Sequence, residues 1–165
     1  MKKIMLQTIN TMIDYVNEDN RLFYDIYSDA DKQADSRKNN TGLFFFRGEP
    51  GRPFAIVCPG GGFSYVGAIH EGFPLAIALS EMGYNTFSIQ YRTGGAQVAC
   101  EDLAQAIDFI CATASDWESE RLLKAGKRMP SGFGRNTFPV KIELLTENSV
   151  KGKNRFRPTF AMSFV

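Results

Sequence analysis

A chain of 165 residues with 44% apolar and 22% charged residues has the composition of one ordinary globular domain. Its formal net charge of +1 gives no global attraction to nucleic acid or to an anionic membrane. No stretch approaches the ~18 consecutive apolar residues of a membrane-spanning helix. The opening Lys2-Lys3 is interrupted by Gln7, Thr8, Asn10 and Thr11 rather than followed by an apolar run, so no signal peptide is expected. Cys58, Cys100 and Cys111 are odd in number and sit in or beside apolar runs, as reduced residues of a cytoplasmic protein do.

In chain order, Met5, Ile9, Met12, Ile13 and Val16 recur at helical spacing and predict one amphipathic helix. Leu22 to Tyr27 suits a short strand. Ser28 to Asn40, rich in Asp, Lys and Asn, reads as an exposed loop. Leu43 to Phe46 is a short strand, followed by a turn at Gly48 to Gly51. Phe54 to Cys58 is a continuous apolar run between Pro53 and Pro59, the pattern of a strand buried on both faces.

A helix is predicted from about Gly72 to Met82, with Pro74 in its first turn, an apolar stripe of Leu75, Leu79 and Met82, and Gly83 as its C-terminal cap. A strand from Asn85 to Tyr91 puts Phe87, Ile89 and Tyr91 on one face. A second helix, about Gln97 to Thr113, carries Ala99, Leu103, Ala106, Ile107 and Ile110 as its stripe. Strand, glycine loop, helix, strand, helix is the crossover unit of an α/β fold.

After Trp117 the periodicity dissolves. Met129 to Gly134 is turn-like, and Pro139 to Thr146 suits one strand. The charge changes sign at the same place. Residues 1–117 hold 9 Lys+Arg against 14 Asp+Glu, a net of −5, whereas residues 118–165 hold 10 against 4, a net of +6. Three regions follow: an N-terminal helix and loop (1–40), an α/β region (41–117) and a divergent basic tail (118–165). Phe133, Phe138 and Phe156 are too sparse to make that tail a nucleic-acid groove.

The loop Pro59-Gly60-Gly61-Gly62-Phe63 follows the buried strand, where α/β sheets place their ligand sites. Consecutive glycines let N–H groups point into a cleft and hold negative charge developing on a substrate oxygen. Gly62 to Gly67 lacks the Gly-Lys-Ser/Thr ending of a phosphate loop, and Tyr65 occupies the last glycine position of a dinucleotide loop. Cys58, His70 and Glu71 have the residue types of a thiol hydrolase, but a thiol inside a buried strand is normally inert.

Cys58-Pro59-Gly60-Gly61-Gly62-Phe63, then His70-Glu71-Gly72, Met82-Gly83-Tyr84-Asn85, Tyr91-Arg92 and Glu101-Asp102-Leu103 together resemble the oxyanion-loop region of α/β-hydrolase esterases. The likeness is to the acetyl-xylan-esterase and hormone-sensitive-lipase groups, and it covers about Leu43 to Ala112. It implies that the Gly61 and Gly62 N–H groups are oxyanion donors, with Pro59, Gly60, Phe63, Tyr91 and Arg92 supporting the loop. Pro59 stands where the family usually has histidine. The fold implied is a partial three-layer α/β-hydrolase with a mainly parallel sheet, truncated before the nucleophile turn.

The family's nucleophile lies in Gly-x-Ser-x-Gly, and no such pentapeptide exists here. Ser131, in Met129-Pro130-Ser131-Gly132-Phe133, lacks both flanking glycines. The single histidine, His70, precedes any such serine, whereas the family's order is serine, acid, histidine. The expected parent chemistry is hydrolysis of a small-molecule ester without metal or cofactor, with this chain inactive alone. The alternative is a non-catalytic binding half-domain whose open sheet edge invites self-association. A tail that departs from the family this sharply suggests a frameshift after Trp117.

Overall fold

The computed structural model describes residues 2–124 and 142–145, with side chains described through residue 113. Helix α1 (Lys2–Asn17) leads to strand β1 (Phe23–Asp25), helix α2 (Asp29–Ala34), a 3-10 turn (Ser36–Asn40) and strand β2 (Gly42–Phe46). Strand β3 (Phe54–Val57) is followed by the glycine loop, a π-helical turn (Ala68–Gly72) and helix α3 (Phe73–Glu81). Strand β4 (Asn85–Gln90), helix α4 (Ala96–Lys124) and strand β5 (Ile142–Leu145) complete the described elements.

The strands form one sheet in the order β1-β2-β4-β3-β5. β3 pairs in parallel with β4 and with β5, while β2 pairs antiparallel with β1 and with β4. The sheet is therefore mixed, and the expectation of a mainly parallel one is corrected. The connection over residues 47–53 is the reason. A parallel return needs a crossover of about a dozen residues or more, so this short turn can only send β3 back against the direction of β2. The Asn85 side chain ties it down, accepting from the Gly48 N–H at 3.2 Å and donating to the carbonyls of Glu49 and Arg52.

Each face of the sheet is covered by a different helix layer. On one side Leu43, Phe45, Phe54, Ile56, Phe87 and Ile89 pack under Ala99, Leu103, Ala106 and Ile110 of α4. Phe45 and Phe87 stack there with ring centroids 4.4 Å apart. On the other side Phe46 and Val57 meet Phe73, Ala76 and Leu79 of α3, with Met12 of α1 packed alongside. All four β3 residues are buried, because helices lie on both faces.

Several local expectations change. Ser28 to Asn40 is not open loop: Ser28 and Asp31 form a reciprocal capping box that starts α2, and Asp35 caps the following 3-10 turn. The buried stripe of α3 is Phe73, Ala76 and Leu79, while Met82 is exposed. In α1, Met12 faces the body but Ile9, Ile13 and Val16 are exposed. α4 continues as helix through position 117. The Pro139 to Thr146 run contains β5, so a parallel strand does join the sheet beside β3 after α4. Thr146-Glu147-Asn148-Ser149-Val150 follows it and contains no Gly-x-Ser-x-Gly. Ser131, Phe133, Phe138, Phe156 and the turn at Met129 to Gly134 lie outside the described residues.

Candidate functional site

β3 hands the chain to α3 on one face of the sheet, and its neighbour β4 hands it to α4 on the other. Loops that leave adjacent parallel strands toward opposite faces open a crevice at the strands' carboxyl ends. The loop after β3, Cys58 to Gly67, and the loop after β4, Tyr91 to Gly95, meet there. The Tyr91 hydroxyl donates to the Pro59 carbonyl at 2.7 Å, and the Gly94 N–H donates to the Phe63 carbonyl at 3.0 Å.

Within the first loop the backbone takes left-handed conformations at three consecutive residues: Gly61 at φ 140°, Gly62 at 57° and Phe63 at 59°. Gly61 is required on two counts. Its φ disfavours any L side chain, and a Cβ there would collide with the Tyr65 carbonyl, whose own residue donates its N–H to the Gly61 carbonyl at 3.4 Å. A Cβ on Gly62 would meet open space, so only its φ selects glycine. Among the described residues, neither the Gly61 nor the Gly62 N–H donates a hydrogen bond. Successive N–H groups in such a conformation form a concavity suited to an anion.

Gly60 plays a different part. Its N–H donates to Glu71 Oε2 at 3.1 Å, and its carbonyl accepts from Gly67 at 2.9 Å, which closes the loop on itself. The other Glu71 oxygen lies 3.3 Å from His70 Nε2, and the His70 ring stacks on Tyr65 at 6.3 Å between centroids. His70 is thus a side chain of the loop's outer wall. Burial pushes the Cys58 thiol up to about 12, so near neutral pH it is a thiol and not a nucleophilic thiolate. Burial also raises the Tyr91 hydroxyl above its ordinary value, which keeps it a donor to Pro59.

Arg92 anchors the start of the loop after β4. Its backbone N–H donates to Asp102 Oδ2 at 2.6 Å, and its guanidinium lies 2.8 Å from Asp102 Oδ1, 3.0 Å from Asp35 and 3.4 Å from Glu101. The Tyr27 hydroxyl donates to the same Asp102 at 2.6 Å. Burial first, and then the bond to Asp102, hold the Tyr27 hydroxyl well above its ordinary value. The bond from Arg37, with that from Arg92 further behind, holds Asp35 well below the usual carboxylate range. One buried cation therefore joins the β1–α2 segment, the end of β4 and the first turns of α4.

The structure thus brings Pro59, Gly60, Gly61, Gly62, Phe63 and Tyr91 together where β3 and β4 end, and ties Arg92 to Asp102, Asp35 and Glu101. Glu71, Asp102, Asp35 and Tyr27 are the supporting residues that sequence reasoning did not assign. Glu71 and Asp102 stand inside the quoted motifs, and that adjacency was the available signal. Among the described residues, no group of three or more His, Cys, Asp or Glu side chains is placed to hold a metal ion. None of the described helices is long and apolar enough to cross a membrane.

No family model and no curated protein matches this chain. Its fold is similar to that of an acetyl ester-xyloside bifunctional hydrolase from Caldicellulosiruptor lactoaceticus, at a TM-score of 0.53 and 17% sequence identity. The match covers 74% of this chain and 40% of that one. At this identity the likeness is one of fold: a mixed α/β architecture shared with less than half of a hydrolase.

Proposed function

We propose that the chain derives from carboxylic ester hydrolases, keeps their oxyanion-binding loop in Gly61 and Gly62, and does not hydrolyse esters alone. The observation that carries the reading is the pair of undonated N–H groups at the carboxyl end of β3, held in left-handed backbone. Donors of this kind stabilise the charge that develops on a carbonyl oxygen as a nucleophile adds to it. The ligand of the parent chemistry is a small ester; no nucleic acid or membrane is invoked. The resemblance of the motifs and the hydrolase fold of the structural neighbour both support this lineage.

Inactivity follows from the missing base. A serine needs an imidazole beside it and an acid to orient that imidazole, and the single histidine instead pairs with Glu71 at the loop's wall. Purified chain is expected to hydrolyse p-nitrophenyl acetate no faster than buffer. Hydrolysis above that background, abolished by Ser131→Ala or Cys58→Ala, would overturn the reading. The origin of the basic tail is tested by sequencing the gene after the Trp117 codon. A Gly-x-Ser-x-Gly pentapeptide followed by an acid and a histidine in another frame would identify a frameshifted esterase. Their absence in every frame would make the tail native to the protein.

A further inference from the structure

Tyr65 and His70 stand on the outer wall of the glycine loop and take no part in holding an oxyanion. Tyr65 is 54% exposed, although a tyrosine ring is among the side chains that gain most from burial. The His70 ring stacks on it, with 23° between the planes and 6.3 Å between centroids. The pair is a small aromatic platform open to solvent.

Both rings are fixed to the loop that they border. The Tyr65 N–H donates to the Gly61 carbonyl at 3.4 Å, and Tyr65 Cδ2 lies 3.3 Å from where a Cβ of Gly61 would stand. His70 is held by one oxygen of Glu71, whose other oxygen accepts the Gly60 N–H. A ring held in place before binding loses little freedom when a ligand settles on it. The edge of that ring is thus within van der Waals reach of Gly61, and the undonated N–H groups of Gly61 and Gly62 are its neighbours. Donors for an oxygen beside an exposed aromatic face match a ligand whose oxygen-bearing carbon is attached directly to a flat apolar group.

We propose that Tyr65 is a specificity-determining residue of the glycine loop, and that the acyl group it selects is aromatic, a benzoyl-type carbonyl or carboxylate. One ligand oxygen rests on the Gly61 and Gly62 N–H groups. The ring attached to the same carbon lies offset over Tyr65, the arrangement that aromatic pairs prefer. An acetyl group carries only a methyl and offers no face to stack, and a saturated ring is too thick to lie flat. This specificity rests on the oxyanion reading of the two glycines and adds to it the chemistry of the acyl group. It concerns binding alone, so the missing catalytic base does not bear on it.

Titration of the isotopically labelled full chain with acetate, benzoate and cyclohexanecarboxylate tests this through the loop amides. Benzoate is expected to saturate the Gly61 and Gly62 resonances with a dissociation constant roughly 3- to 10-fold below that of acetate, the range for one aromatic pair. Upfield ring-current shifts of the Tyr65 side-chain protons should accompany it. Tyr65→Ala should erase the ratio of benzoate to acetate affinity, and Tyr65→Phe should keep it. The ratio is read within one variant, so a general weakening of the loop does not mimic its loss, and a circular dichroism melt shows that each variant folds. If acetate saturates both amides and benzoate binds no tighter, the aromatic specificity falls while the oxyanion role stands. A ratio that survives Tyr65→Ala, one lost in Tyr65→Phe, or cyclohexanecarboxylate binding as tightly as benzoate also overturns it. Silence of both amides toward every carboxylate overturns the oxyanion role, and the specificity with it.

Discussion

Asp102 and Glu71 each accept a backbone N–H where a strand gives way to a loop, Asp102 from Arg92 and Glu71 from Gly60. Asp102 does so with its side chain wholly buried, bonded also to a guanidinium and a tyrosine hydroxyl. Glu71 does so with 40% of its side chain in solvent and a histidine as its other neighbour. The same functional group thus serves two ends. Buried among complementary donors, it fixes how β1, β4 and α4 meet. At the surface, it sets the shape of one loop at little energetic stake.

The contrast gives a ranked set of expectations. Asp102→Ala leaves Arg92 buried with two peripheral carboxylates and should cost about 3–5 kcal/mol in urea unfolding, the range for breaking a buried pair. A loss below about 1 kcal/mol would mean that Asp35 and Glu101 carry the guanidinium without it. Gly61→Ala combines an unfavourable φ with a collision on the Tyr65 carbonyl, so a loss of about 1–3 kcal/mol is expected. Glu71→Ala removes one partly exposed acceptor and should cost about 1 kcal/mol or less. The ratio of the Asp102 and Glu71 losses is the direct test of the contrast, since equal losses would erase it.

The smallest effect concerns pH. The Cys58 thiol has a folded value near 12, above its ordinary value of 9.0. Its stabilising contribution is therefore fully present below the unfolded value and is lost as pH rises from about 9 toward 12. Cys58→Ala should make the alkaline loss of stability shallower in that window, as measured by urea unfolding across pH. In the native protein at pH 8, Ellman's reagent should modify the exposed Cys111 first and Cys58 last.

The elements legible in the sequence were those whose burial is continuous. Phe54 to Val57, the glycines after it and the Ala99 to Ile110 stripe announce a buried strand, a turn and a packed helix through composition alone. α2 was not legible because it buries no residue; its cause is the local exchange between Ser28 and Asp31, which leaves no apolar period. The antiparallel pairing of β2 was hidden because pairing direction resides in connection length and not in the strand's own residues. α1 was legible in part. Its apolar period announces an amphipathic helix but not how the stripe divides, with Met12 and the buried Thr8 toward the body and Ile9, Ile13 and Val16 exposed. In the site, glycine chemistry pointed to Gly61 and Gly62. The roles of Glu71 and Asp102 were hidden because each reaches a backbone group about ten residues away, a distance that only the folded chain closes.

The most direct test of the central claim is an acetate titration of the isotopically labelled chain followed by amide resonances. The account predicts that the Gly61 and Gly62 N–H resonances shift together and saturate, that Gly60, already bonded to Glu71, moves little, and that Gly61→Ala abolishes the response. Saturable shifts confined to other amides, or no saturable shift in the glycine loop, would contradict an oxyanion-binding role for Gly61 and Gly62.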